Sequence, residues 1–290
     1  MKQQYILNQV NSFNPKHIFE CGQCFRWNKQ EDGSYTGVFK NNVLNVKQEN
    51  SRIIFSGICE GNIEEVCKDY FDLNTDYEKI KNELSKIDDN LKQGIKYGEG
   101  IRILKQDLWE TIISFIISAN NNIPRIKKII EKLSEKYGNK LELDGITYYS
   151  FPTVEQLSKA TVEELRSLGL GFRDKRVYET TKLIRTKQID LEYLKNIQDS
   201  NILREELNKL PGVGDKVADC IMLFSMKRFD VFPIDVWVRR VMNELYIKNE
   251  DETKVNKKEI RNLAEEKYGK LAGIAQQYLF YWKREEDKTA

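Results

Sequence analysis

The chain is short of the residues that most metal and redox chemistry needs. His17 is the single histidine in 290 residues, so no histidine-based metal or catalytic site can be assembled. Five cysteines (Cys21, Cys24, Cys59, Cys67 and Cys220) make an odd set without framework spacing, which excludes a disulfide scaffold and suits a reducing compartment. Cys21 and Cys24 have the spacing of half a zinc site, but no second pair lies near them, so no metal or other cofactor is expected. Apolar runs of bilayer length are absent, and Met1-Lys2-Gln3-Gln4-Tyr5 lacks the apolar core of a signal peptide. A cytoplasmic protein is expected, nucleoid-associated if the source is bacterial. Charge of one sign is also scarce. The 47 Lys and Arg against 45 Asp and Glu leave +2, which neither demands nor excludes a nucleic-acid partner, because a basic groove can hide inside a balanced total.

What is present reads as an ordinary soluble protein, 40% hydrophobic and long enough for two domains. Tyr35–Phe39, Val43–Val46 and Ile53–Phe55 are β-prone runs separated by turn residues, which predicts a small antiparallel sheet. From Gln106 the periodicity becomes helical. Asp107 with Glu110, Thr153 with Gln156 and Thr161 with Glu164 all have capping-box spacing, and a helix is predicted from Pro124 to Gly138. Further helices are predicted near 174–186, 201–209, 215–226, 236–246 and 257–282. The expected fold class is α+β, with an N-terminal α+β domain over 1–104 and an all-helical body over 105–290.

The most informative stretch runs from Leu203 to Ile221. A helix carrying Leu203 and Leu207 enters the turn Leu210-Pro211-Gly212-Val213-Gly214, and a second helix leaves with Val217, Ile221 and Phe224 on its apolar face. Gly212 and Gly214 permit a tight turn and close backbone approach. The first amides of the outgoing helix suit a phosphate oxygen, a grip that reads no sequence. Taken alone, the unit is either such a grip or an αα-hairpin without a ligand. Lys216 lies in the first turn of the outgoing helix, where the dipole disfavours a cation, so its amine is expected to lose its proton readily and serve as a nucleophile. Otherwise it is a solvated phosphate contact. Cys220 is one turn further on the same face, beside the amine or simply in the core. In Pro233-Ile234-Asp235-Val236, Asp235 is placed as an N-cap whose fixed carboxylate either only caps or also stabilises a cationic sugar transition state.

A glycine hairpin, a lysine two residues past it and an aspartate in a Pro-x-Asp context together resemble the helix-hairpin-helix DNA glycosylases. There the aspartate is essential and the lysine marks members with added lyase activity. Cys21-Gly22-Gln23-Cys24-Phe25-Arg26-Trp27 resembles the Gly-Gln-x-Phe-Arg-Trp signature of the 8-oxoguanine branch, and Gly100–Asp107 and Asn120–Ile123 are similar to further stretches of it. Ala275–Phe280 resembles the family's base-pocket helix, which implies that Gln276 reads the base edge and Phe280 stacks on it. The resemblance also implies that Asn120 fills the space left by the extruded nucleotide and that Arg125 faces the orphaned cytosine. Phe172, in Leu170-Gly171-Phe172-Arg173, stands where better-known members carry tyrosine, and Arg173 is grouped with it as DNA-binding. No cysteine follows Asp235, so the four-cysteine cluster of the endonuclease III-like branch cannot form.

The expectation is thus a bifunctional glycosylase and lyase, a monomer whose partner is duplex DNA containing 8-oxoguanine. Lys216 would attack C1′ of the extruded nucleotide while Asp235 stabilises the sugar cation. The Gly22 carbonyl would accept the N7–H that only the oxidised base offers, and Lys216 and Cys220, if ionised as a pair, would align with the altered base dipole. An alkylpurine glycosylase and a non-catalytic DNA-binding module are the alternatives.

Overall fold

The computed structural model describes residues 1–8, 10–251 and 254–289. Its front is a five-stranded antiparallel sheet in the order β1-β5-β4-β3-β2, built from β1 (Gln3–Asn8), β2 (Trp27–Lys29), β3 (Tyr35–Phe39), β4 (Asn42–Glu49) and β5 (Arg52–Ile58). The three predicted strands are its centre. The two unpredicted ones are its edges: β1 alternates half-buried and exposed residues, and β2 is only three residues long. One face is covered by the helices Pro15–Glu20 and Ile63–Tyr70, around an aromatic core in which Phe19 stacks on Trp27 at 4.0 Å and Phe39 on Tyr70 at 3.9 Å.

The remainder is helical around a second, larger core. Asp107, Thr153 and Thr161 cap the helices they were expected to start, and Asn122 caps the helix expected near Pro124, which begins at Ile123. Both threonine capping boxes are complete, whereas Asp107 accepts from the Glu110 amide at 2.9 Å without the return bond. A two-stranded hairpin, β6 (Lys140–Leu143) with β7 (Ile146–Tyr149), turns through Asp144 and Gly145, both at positive φ. Two helices differ from expectation. The segment at 236–246 is α-helical over Val236–Met242 and then passes into a π-turn over Asn243–Ile247. The single helix expected at 257–282 is two, Lys257–Tyr268 and Ala272–Thr289. Gly269, at φ +50°, breaks the ladder where an L-residue would be strained.

That break positions the site. After it, the final helix packs against Asp89–Tyr97, so closely that a Cβ on Gly94 would lie 3.3 Å from the Tyr278 carbonyl. This carries Gln276 and Phe280 towards the loop at Gly22. Arg102 ties segments of the N-terminal part together: its buried guanidinium donates to the carbonyls of Ser12, Phe71, Asp72 and Thr75.

Candidate active site and DNA interface

The hairpin is formed by the helices Ser200–Asn208 and Asp215–Met226. Leu203, Leu207, Val217, Ile221 and Phe224 are buried as the periodicity required. Gly212 sits at φ +86°, and a Cβ there would lie 2.6 Å from Cδ of Arg176. Gly214 is the N-cap of the outgoing helix and makes no side-chain cap bond, and a Cβ on it would meet nothing. The first-turn amides therefore face an open approach, at the positive end of a three-turn helix.

One recess gathers Gly22, Phe115, Lys216, Cys220, Asp235, Gln276 and Phe280. It is narrow, about 50 Å³. Its floor is aromatic: Phe115 stacks on Phe224 at 5.6 Å, and Nζ of Lys216 lies 5.5 Å from the Phe115 ring centre. Asp235 is the N-cap of Val236–Met242, and Oδ1 accepts from the Val238 amide at 2.8 Å, which fixes the carboxylate at the recess wall. Gln276 is buried, and its Oε1 has no protein partner, an arrangement that costs about 1–3 kcal/mol unless a ligand or water completes it.

The loop at Gly22 is clamped on both sides. Arg284 donates to the Glu20 carbonyl and Gln277 to the Cys21 carbonyl at 2.6 Å, while Gln23 donates to Ile18 and Arg102 and accepts from the Leu104 amide. Among the described residues no group donates to the Gly22 carbonyl. Gln277 and Arg284 escaped the sequence reading. Gln277 carried no signal beyond a polar residue on a largely apolar helix, and Arg284 carried none.

The electrostatics of the pair correct one expectation. Burial pulls the Lys216 amine down, but the Cys220 thiol one turn away and the Asp235 carboxylate pull it up, and the net direction is upward. The helix dipole therefore does not leave a ready free amine. Burial pushes the Cys220 thiol up to about 11, and Lys216 pulls it back down.

The expected DNA-contacting residues cluster beside the recess. Asn120 is exposed and left-handed at φ +51°, and Arg125 is exposed, with only a long bond to the Gly169 carbonyl at 3.4 Å. Phe172 is 55% exposed, unusual for a phenyl ring. Arg173 departs from expectation. It is buried, and its guanidinium donates to the carbonyls of Ala119, Asn120 and Leu170, so it braces the loop rather than offering itself to a ligand.

Residues 5–112 match the family described as 8-oxoguanine DNA glycosylase, N-terminal domain, and residues 113–269 match the HhH-GPD superfamily base excision DNA repair proteins. The chain is 35% identical over 256 residues to the N-glycosylase/DNA lyase of Saccharomyces cerevisiae, covering 79% of this chain and 67% of that one. The Clostridium acetobutylicum 8-oxoguanine glycosylase/lyase, solved with double-stranded DNA containing cytosine opposite 8-oxoG, superposes with a TM-score of 0.93 at 45% identity over 99% of this chain and 98% of that one. Its apo-form gives 0.91 at 46% identity, over 97% and 98%. Hairpin, recess, exposed wedge loop and these likenesses agree: the chain belongs to the 8-oxoguanine DNA glycosylase family of the helix-hairpin-helix superfamily.

Proposed function

We propose that the protein excises 8-oxoguanine from duplex DNA and then nicks the strand at the vacated sugar. The observation that carries this reading is the convergence of an amine, a fixed carboxylate and two unsatisfied base-reading groups on one recess beside a phosphate-gripping hairpin. The hairpin amides hold backbone phosphate, Asn120 and the Phe172 ring fill the gap left by the extruded nucleotide, and Arg125 faces the orphaned cytosine. Extrusion costs roughly a few kcal/mol, which those contacts offset.

In the recess, Nζ of Lys216 forms a bond to C1′ of the lesion nucleotide. The C1′–N9 bond breaks, its electron pair leaves with the base, and the base takes up a proton. Asp235 faces the positive charge that develops on the sugar, with an orientation already set by the Val238 amide. Opening of the sugar ring expels O4′ as a hydroxyl and leaves an iminium between Nζ and C1′. Loss of a C2′ proton then expels the 3′-phosphate, which is the nick. The resting ammonium must first release its proton. Because one copy of the chain supplies every group named, a monomer suffices.

A duplex with a single 8-oxoguanine tests the reading. Spontaneous nicking, and a covalent adduct trapped by borohydride, are expected, and Lys216→Gln should abolish the adduct while leaving DNA binding. Base loss revealed only by alkali would remove the lyase half, binding without base loss would leave only a DNA-binding module, and undiminished trapping in Lys216→Gln would sink the assignment of the nucleophile.

A further inference from the structure

Arg173 and Arg176 flank the exposed Phe172 ring, and Arg125 lies near enough for its charge to bear on Arg173. Arg173 lies 4.3 Å and Arg176 5.1 Å from the ring centre. The charges of Arg125 and Arg176 both bear on Arg173, and among the described residues none of the three is in an ion pair. Arg173 is spent on carbonyls, and Arg125 has its one long bond. Arg176 has no hydrogen-bond partner among the described residues, so its guanidinium is the uncommitted cation of the three.

Its place is set by packing. Cδ, Cγ and Cβ of Arg176 lie 2.6, 3.3 and 3.4 Å from where a Cβ on Gly212 would be, so the aliphatic stem lies across the hairpin turn while the head reaches the Phe172 ring. The residue therefore spans the wedge that faces one strand and the hairpin that grips the other. Like charges assembled without a counter-ion repel one another, a seated anion relieves that repulsion, and at this seam the anion of the proposed function is the sugar–phosphate backbone.

We infer that Arg176 is a further DNA-binding residue, whose guanidinium takes a backbone phosphodiester between the Phe172 wedge and the Gly212 turn. The inference rests on the proposed DNA-repair reading. A phosphate contact carries no base information, so its loss weakens undamaged and 8-oxoguanine duplexes alike. It also releases fewer counterions.

Arg176→Met keeps a stem to cover Gly212 and removes the charge. Affinities of wild type and variant for both duplexes, measured across salt concentration, should differ in slope by about one unit of log K against log salt. The wild-type advantage should therefore shrink about three- to fourfold between roughly 50 and 200 mM salt. Arg176→Lys should restore the slope, which a purely structural role would not require. A Met variant with the wild-type slope overturns the assignment, as does a loss confined to the lesion duplex. If wild type neither binds duplex nor excises the lesion, it is the function reading that fails.

Discussion

Arg173 holds Asn120 by its backbone: Nη2 donates to the Asn120 carbonyl at 2.6 Å, and the same guanidinium donates to the Ala119 carbonyl from two nitrogens. Asn120 sits at φ +51°, a conformation that costs an L-residue free energy and persists only where neighbours fix it. A planar fork can hold adjacent carbonyls in a way an ammonium cannot. Arg173→Ala should lower stability by about 1–3 kcal/mol, as the Ala119, Asn120 and Leu170 carbonyls lose their charged donor. It should also slow excision at saturating enzyme, and Arg173→Lys should rescue neither. An alanine variant with a wild-type denaturation midpoint and excision rate would show that the brace is dispensable.

Phe172 exposes a phenyl ring, which can donate no hydrogen bond to a base opposite the lesion. Weak preference for cytosine is expected in single-turnover rates measured opposite all four bases, and Phe172→Tyr should sharpen it. A strong cytosine preference that the substitution leaves unchanged would refute this.

Asp219 links the catalytic helix to its neighbours and should be visible in stability against pH. It lies between Lys216 and Cys220 and is fully buried, with Nε of Arg204 at 2.6 Å and Nη2 of Arg261 at 3.5 Å. Burial pushes its carboxyl up to about 6, against the pull of both arginines. A raised folded value means that the folded state holds the proton more tightly. That stabilisation is complete below about pH 3.8 and is lost as pH rises through about 6. Over that window wild type should lose on the order of 3 kcal/mol relative to Asp219→Asn. Urea midpoints of the two proteins read the difference, and parallel profiles would remove the assignment.

Much of this architecture is legible in the residues themselves. The central strands are β-prone runs between turn residues, the glycine turn punctuates the hairpin, and Asp235 announces its cap through Pro233. The hairpin at Asp144-Gly145 was legible too, since Asp-Gly between β-prone residues is a strong turn signal, yet the helical surroundings masked it. Other features need the third dimension. The proton affinity of Lys216 depends on Cys220 one turn away and also on Asp235, nineteen positions away by sequence number, and the helix dipole alone points the wrong way. The burial of Arg173 depends on carbonyls more than fifty residues earlier. Local pattern carries neither.

Discrimination between 8-oxoguanine and guanine should rest on Gly22. Oxidation at C8 converts N7 from an acceptor to an N–H donor, and the Gly22 carbonyl is an acceptor that no group among the described residues satisfies, in a loop clamped at Glu20, Cys21 and Gln23. Guanine would set two acceptors against each other, a mismatch of about 1–3 kcal/mol, or roughly 5- to 150-fold. The position tolerates no side chain cheaply. Its φ is +88°, and a Cβ would lie 3.1 Å from Nη1 of Arg284 and 3.4 Å from Cε1 of Phe280, so it would press on the ring proposed to stack on the base. Gly22→Ala should therefore shift the carbonyl and the ring together. Excision of 8-oxoguanine should fall at least tenfold, about 1.4 kcal/mol in the barrier, while affinity for undamaged duplex changes little. Excision at the wild-type rate in that variant would mean that another group reads N7.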